Sequence, residues 1–174
     1  ILKTLKLLKD SYFLITLHRP ETVDDPVKFK KLILIFEKLG KKFNKRFIFP
    51  THPRTKKMIK KMDINRLNFI EFIDPLEFLD FLSLMKNSKI VFTDSGGVQE
   101  ETSLLGVPCI TIRKSTERQL TIKEKTNILT GYDYNKICNA IIYFNKNKIK
   151  ASKIFGDGNV ANKIFDKLKT IYKH

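Results

Sequence analysis

The chain has 174 residues, 34 Lys+Arg against 18 Asp+Glu for a formal charge of +16, and two cysteines. That length suits one domain, or a large half of a two-domain protein, and hides roughly two thirds of the unfolded surface in a core. No apolar run reaches the roughly 18 to 20 residues that span a bilayer and no signal peptide is visible, which reads as a soluble cytoplasmic protein. Cys109 and Cys138 lie in apolar patterns without metal or redox spacing and read as small buried hydrophobes.

The basic excess fits three kinds of partner: nucleic acid, a membrane surface or an anionic small molecule. Its lysines are spread over helix faces (KFKKL, KKMIKK, NKNKIK), without the interleaved aromatics or Gly-rich loops of RNA-binding modules. A solvated, Lys-rich surface explains them best, ahead of a polyanion site or a basic cleft for a charged metabolite. The first residue is Ile1 and a strand-like run follows soon after, which suggests a piece of something longer, with an N-terminal half missing.

In chain order, YFLITLH (12–18) reads as a strand, and Pro26 opens a helical pattern through Phe29, Leu32, Ile33, Phe36 and Leu39, stopped by Gly40. RFIFP (46–50) is a second strand, and TKKMIKKM (55–62) after Pro53 a short basic helix. LNFIEF (67–72) is a third strand, followed by a helix with Pro75 at its start. KIVFT (89–93) is a fourth strand, GVQEETSLLG a helix closed by Gly106, and VPCITI (107–112) a fifth strand. TNILTG (126–131) is a candidate sixth strand, and YNKICNAIIYF and NVANKIFDKLKTIY are two closing helices. Continuous apolar strands alternating with helices predict a three-layer, Rossmann-like α/β domain with a parallel sheet of about six strands, spanning residues 1–174.

Ligands of such sheets sit beyond the carboxyl ends of the strands. The five loops there are HRPET, THPR, the segment around Asp74 and Pro75, DSGG and RKSTER. Ser95-Gly96-Gly97 at a strand-to-helix junction allows close backbone approach and aims free helix N–H groups at an anion. A tight turn with Asp94 or Ser95 as helix cap is the other reading, and the residues alone leave the two evenly matched. Glu100 and Glu101 are neighbours about 100° apart on a helix, so at most one faces a ligand. His18 with Arg19 and His52 with Arg54 form two His-plus-Arg loops at one rim, suited to phosphate contact or proton transfer. Arg113, Glu117 and Arg118 add guanidinium forks for phosphate. No His/Cys/Asp/Glu set has metal spacing, and no Ser-His-Asp arrangement is evident.

In order and spacing, LHRPET, THPR, PLEFLDF, TDSGGVQEETSLLGVP, RKSTER and FGDG resemble the C-terminal half of the non-hydrolysing UDP-N-acetylglucosamine 2-epimerases, over nearly the whole chain. The most specific part is DSGGVQEE, then LLGVP, then STER. The resemblance implies a GT-B-like fold of two Rossmann-like domains around a cleft, and reversible conversion of UDP-GlcNAc and UDP-ManNAc at C2. Chemically this is anti elimination of UDP to a 2-acetamidoglucal and re-addition to the other face, with no redox cofactor and no metal. It further implies a homodimer, often activated by its own substrate, with no nucleic acid or membrane partner.

Carried over by position, the resemblance puts Ser95, Gly96 and Gly97 on the diphosphate and Glu101 on the ribose. It places His18 beside the diphosphate to stabilise or protonate departing UDP, with Arg118 nearby, Phe81 at the uracil pocket and backbone near Leu76 on the uracil edge. Arg19 and His52 fall near the activator site. Pro20 and Thr22 depart from the family's His-Arg-Arg-Glu-Asn or His-Arg-Ala-Glu-Asn, Gln119 and Leu120 from its Pro-Glu, and Leu76 stands where a glutamine occurs. The acids that move the C2 proton belong to the family's N-terminal domain, so this chain alone is expected to bind UDP weakly and not to epimerise. A hydrolysing epimerase and a GT-B glycosyltransferase are the alternatives, with a basic nucleic-acid-binding module behind them.

Overall fold

The computed structural model describes residues 1–61 and 67–172. Six strands, β1 (Tyr12–Thr16), β2 (Arg46–Pro50), β3 (Ile70–Ile73), β4 (Ile90–Thr93), β5 (Cys109–Thr111) and β6 (Asn127–Leu129), form one sheet in the order β3-β2-β1-β4-β5-β6. Every pairing is parallel. At the centre, Leu14 of β1 lies opposite both Ile48 of β2 and Val91 of β4. Parallel strands need crossovers, and among the described residues eight helices supply them or follow them: α1 (Pro20–Val23), α2 (Pro26–Phe43), α3 (Pro53–Lys61), α4 (Phe78–Asn87), α5 (Gly96–Leu105), α6 (Gln119–Lys123), α7 (Tyr134–Lys146) and α8 (Val160–Ile171). The expected three-layer α/β architecture is present.

The two-residue alternation of β-strands splits the core into two layers. Phe13, Ile15, Phe47, Phe49, Ile90 and Phe92 face α2 and α7, meeting Phe29, Leu32, Ile33 and Phe36 on one helix and Ile137, Ile141 and Phe144 on the other. Tyr12, Leu14, Ile48 and Val91 face the other way, onto Leu84 and Met85 of α4 and Val98 of α5. Phe13, Phe36, Phe47 and Phe92 form a knot with ring centroids 5.0 to 5.6 Å apart. Each such ring contributes roughly 1.5–3 kcal/mol by burial, and each pair about 0.5–1.5 kcal/mol beyond that.

Several boundaries differ from the sequence reading. Gly40 does not stop α2, which runs to Phe43 and ends where Asn44 turns left-handed at φ 49°. The glycine serves a close approach instead: a Cβ at position 40 would stand 2.4 Å from Phe69 Cβ. Its start is as the sequence implies, with Pro26 in the first turn and Asp25 Oδ1 accepting from Val27 N at 3.0 Å and Lys28 N at 3.1 Å. Pro75 lies in the loop before α4, which begins at Phe78 after an extended Glu77. HRPET is only partly a loop, since Pro20–Val23 form the short α1, and α6 follows RKSTER. The third strand starts at Ile70 rather than at residue 67. Gly106 closes α5 at φ 69°, as read. Met62, assigned to the basic helix after Pro53, lies outside the described residues.

The last helix, α8, has no buried residue: Val160, Ile164, Phe165, Leu168 and Ile171 form an exposed apolar stripe. Among the described residues no helix is long and apolar enough to cross a membrane. Both cysteines are buried, and burial pushes the Cys109 thiol up to about 12.

The close approach at Gly40 gives a direct test. Gly40→Ala should cost about 1–3 kcal/mol in urea unfolding, because the new methyl is driven into Phe69 and toward the Lys45 carbonyl. An unchanged unfolding midpoint would show that this contact relaxes freely.

Candidate functional site

The strand order reverses between β1 and β4: from β1 the chain goes outward to β2 and β3, and from β4 it goes the other way to β5 and β6. At such a switch point, the loops leaving the two central strands diverge and open a crevice at the carboxyl ends. His18 and Arg19 follow β1 there, and Asp94, Ser95 and Gly96 follow β4.

Asp94 binds the two loops together. It is fully buried, and it accepts from the backbone N–H of His18 (Oδ1, 3.2 Å) and of Arg19 (Oδ2, 3.0 Å), with His18 Nδ1 at 3.7 Å. Neither Asp94 nor Ser95 therefore caps α5: Asp94 is engaged across the crevice, and Ser95 makes no side-chain capping bond. The Ser95 N–H is turned aside to Thr93 Oγ1 at 3.0 Å. The backbone N–H groups of Gly96, Gly97 and Val98 have no acceptor among the described residues. Open donors at the positive end of a helix dipole are what an anion requires.

A polar network beneath the crevice fixes the loop after β5. Buried Gln99 of α5 accepts at Oε1 from Thr116 Oγ1 (2.6 Å) and Asn127 Nδ2 (3.1 Å), and donates from Nε2 to Ser95 O (3.1 Å). Thr116 Oγ1 in turn accepts from Arg118 N at 3.0 Å. Asn127 also donates to Thr121 Oγ1 at 3.1 Å and accepts from Thr111 Oγ1 at 2.8 Å. With its donors and acceptors satisfied, such a network is rigid, and it holds Glu117 and Arg118 over the first turn of α5.

The charges on top are mutually paired. Arg113 Nη1 lies 3.0 Å from Glu117 Oε2, Arg19 Nη2 lies 3.5 Å from Glu117 Oε1, and Arg19 Nη1 lies 3.5 Å from Glu21 Oε1. Arg118 Nε abuts Glu100 Oε1. Glu117 is held below the usual carboxylate range by its own backbone N–H, then by Arg113 and Arg19. Glu101 is pushed the other way, up, by burial and by the neighbouring Glu100. It has no hydrogen-bond or ion-pair partner among the described residues.

His52, after β2, stands beside His18 with ring centroids 6.1 Å apart, so the two His-plus-Arg loops do share a rim. Its Nδ1 accepts from Arg54 N at 3.3 Å, while Arg54 pairs with Asp24 at 3.6 Å. Thr55 Oγ1 anchors α3 to Leu17 O at 2.8 Å, just before His18. Leu76 and Phe81 lie on the α4 side of the sheet. They are half-buried against the apolar layer that contains Val98, and α4 packs on α5. Among the described residues no group of three metal-ligating side chains is arranged to hold an ion.

A model of the family described as UDP-N-acetylglucosamine 2-epimerase matches residues 1–169. The chain belongs to this epimerase family. A UDP-N-acetylglucosamine 2-epimerase of Methanococcus maripaludis is 41% identical over 170 residues, covering 92% of this chain and 46% of that protein. A Pseudomonas aeruginosa relative, a UDP-2,3-diacetamido-2,3-dideoxy-D-glucuronate 2-epimerase, is 31% identical over 92% of this chain and 45% of its own length. The crystal structure of the Methanocaldococcus jannaschii UDP-GlcNAc 2-epimerase in complex with UDP-GlcNAc and UDP superposes with a TM-score of 0.85 at 38% identity, over 94% of this chain and 46% of that one. The chain thus spans about half the length of these epimerases.

Within this epimerase-family domain, the residues that build the crevice include some that the sequence reading passed over. Gln99 lies in the polar run VQEE beside two carboxylates and Asn127 in the candidate strand TNILTG, and only their tertiary contacts reveal them as anchors. Thr116 carries no local signal beyond its place in STER, and Asp94 has the local pattern of a helix cap rather than of a bridge. A separate groove of about 890 Å³ lies between α2 and the loop before α7, lined by Val27, Lys30, Leu34, Lys38, Tyr132 and Tyr134. It takes in the first turn of α7, where Asp133 accepts from Lys136 N at 2.9 Å, and shares no lining residue with the crevice.

Asp94→Asn tests the joint between the loops. An amide retains one acceptor but turns donors toward a backbone N–H, so unfolding free energy should fall by about 2–3 kcal/mol. Amide exchange at His18 and Arg19 should accelerate, and unchanged exchange there would contradict the role given to Asp94.

Proposed function

We propose that this chain is the UDP-binding half of an enzyme that interconverts UDP-GlcNAc and UDP-ManNAc. The observation that carries the reading is the set of open N–H groups on Gly96, Gly97 and Val98, at a switch point ringed by His18, Arg19, Arg113 and Arg118. A diphosphate matches such a site in charge and in the number of acceptors it offers. The membership of the family and the UDP-bound relative support the same ligand.

In this reading Ser95, Gly96 and Gly97 hold the diphosphate, and Arg118 neutralises it. Glu101, half-buried and unpaired, accepts hydrogen bonds from the ribose hydroxyls. Phe81 and the backbone at Leu76 flank the uracil on the apolar side. During elimination the C1–O bond breaks as the C2 proton is removed, and the electron pair leaves with UDP. His18 stabilises or protonates that leaving group; UDP then re-forms its bond to C1 while a proton is returned to the opposite face of C2, which completes the inversion. Arg19 and His52 form part of an activator site.

The base and acid for C2 come from a second, N-terminal domain of a GT-B-like fold, with residues 1–174 as one Rossmann-like domain. The whole enzyme works as a cytoplasmic homodimer that supplies activated sugar for cell-surface polysaccharide, without a redox cofactor. The exposed apolar stripe of α8 supports a further surface packed against this domain. The diacetamido relative supports a second reading, in which the sugar carries a further acetamido group and the UDP grip is unchanged.

Calorimetry of the chain with UDP tests the assignment. Ser95→Ala and Glu101→Ala should each weaken UDP by about tenfold, the worth of one charge-assisted hydrogen bond. Unchanged affinity in both variants would place the nucleotide elsewhere.

A further inference from the structure

Every arginine of the crevice already has a carboxylate against it, Glu100 in the case of Arg118, and one of those carboxylates lies where the anion belongs. Glu117 bridges Arg113 (3.0 Å) and Arg19 (3.5 Å), and its Oε1 stands 2.7 Å from where a Cβ on Gly96 would be. The side chain thus rests on the first residue of α5, next to the open N–H groups. Its backbone cannot drift, because Thr116 and Arg118 on either side are tied to the buried Gln99 network. The carboxylate itself remains partly solvent-exposed, so it can swing away without unfolding anything.

We propose that Glu117 is an internal stand-in anion: it occupies the cradle at the α5 N-terminus when no ligand is bound, and an incoming diphosphate must displace it from Arg19 and Arg113. This rests on the reading of the crevice as a diphosphate site. It adds an affinity threshold that every incoming anion must clear. A small free anion has only the arginines and N–H groups to offset the displacement, whereas a nucleotide also brings its base and ribose. The arginines meanwhile stay paired and oriented in the free protein, so the site is preorganised without attracting every phosphate in solution. The arrangement is a tax on all anions alike, since the same two ion pairs are broken whichever ligand enters.

The test is calorimetry of the wild-type chain, Glu117→Gln and Glu117→Ala with UDP and with inorganic pyrophosphate. Two partly exposed ion pairs correspond to about a five- to tenfold effect. Both variants should therefore bind both ligands about five- to tenfold more tightly than wild type, with the ratio of UDP to pyrophosphate affinity unchanged. Unchanged or weaker binding of pyrophosphate in both variants would overturn the proposal, as would a selective loss of UDP, which would make Glu117 a direct nucleotide contact. Tightening of pyrophosphate in a protein that shows no preference for UDP would uphold the stand-in and refute the nucleotide reading instead. Absence of binding by either ligand to any of the three proteins would refute both.

Discussion

A buried carboxylate must be satisfied, and much of the crevice follows from how Asp94 is satisfied. Removing its charge from water is tolerable only because two backbone N–H groups of another strand's loop point at it. That requirement sets the distance between the ends of β1 and β4, the pair at which the sheet changes direction. It also takes Asp94 away from the helix that follows. A residue of the type that ordinarily caps a helix is spent across the crevice, and α5 begins with its donors unmet.

The second level of control is polar and lies one layer deeper. Gln99 faces inward from the same helix and gathers Thr116 and Asn127, so the loop carrying Glu117 and Arg118 is fixed by neutral hydrogen bonds rather than by its charges. The guanidinium and carboxylate groups above it pair across partly exposed gaps of 3.0 to 3.5 Å. Exposed pairs of this kind are worth little to stability and are easily exchanged. Rigid support beneath exchangeable charge is the combination that an anion site needs if it is to bind and release its ligand.

The fold was largely legible in the sequence because strands such as RFIFP and KIVFT are continuous apolar runs between helices with Pro starts and Gly or Asn stops. Boundaries went wrong where one residue type serves two purposes. Gly40 looks like a helix stop but makes room for Phe69, and Pro75 looks like a helix start but precedes an extended turn. The candidate site was legible as a set of strand-end loops. The pairing within it was not, since neither the Asp94 bridge, spanning 75 and 76 positions in sequence, nor the perch of Glu117 on Gly96 leaves any local pattern. Leu76 and Phe81 carry no local pattern of their own, since they fall in an ordinary run of apolar and acidic residues before and within α4.

The central claim is that the first turn of α5 receives the diphosphate. The most direct measurement is an amide-resolved nuclear magnetic resonance titration of the chain with UDP. The account predicts that the largest shifts fall on Ser95, Gly96, Gly97 and Val98, with smaller ones at His18 and Arg118. Shifts centred on Lys30, Lys38 and Tyr132 in the groove beside α2, with the α5 amides unmoved, would contradict it.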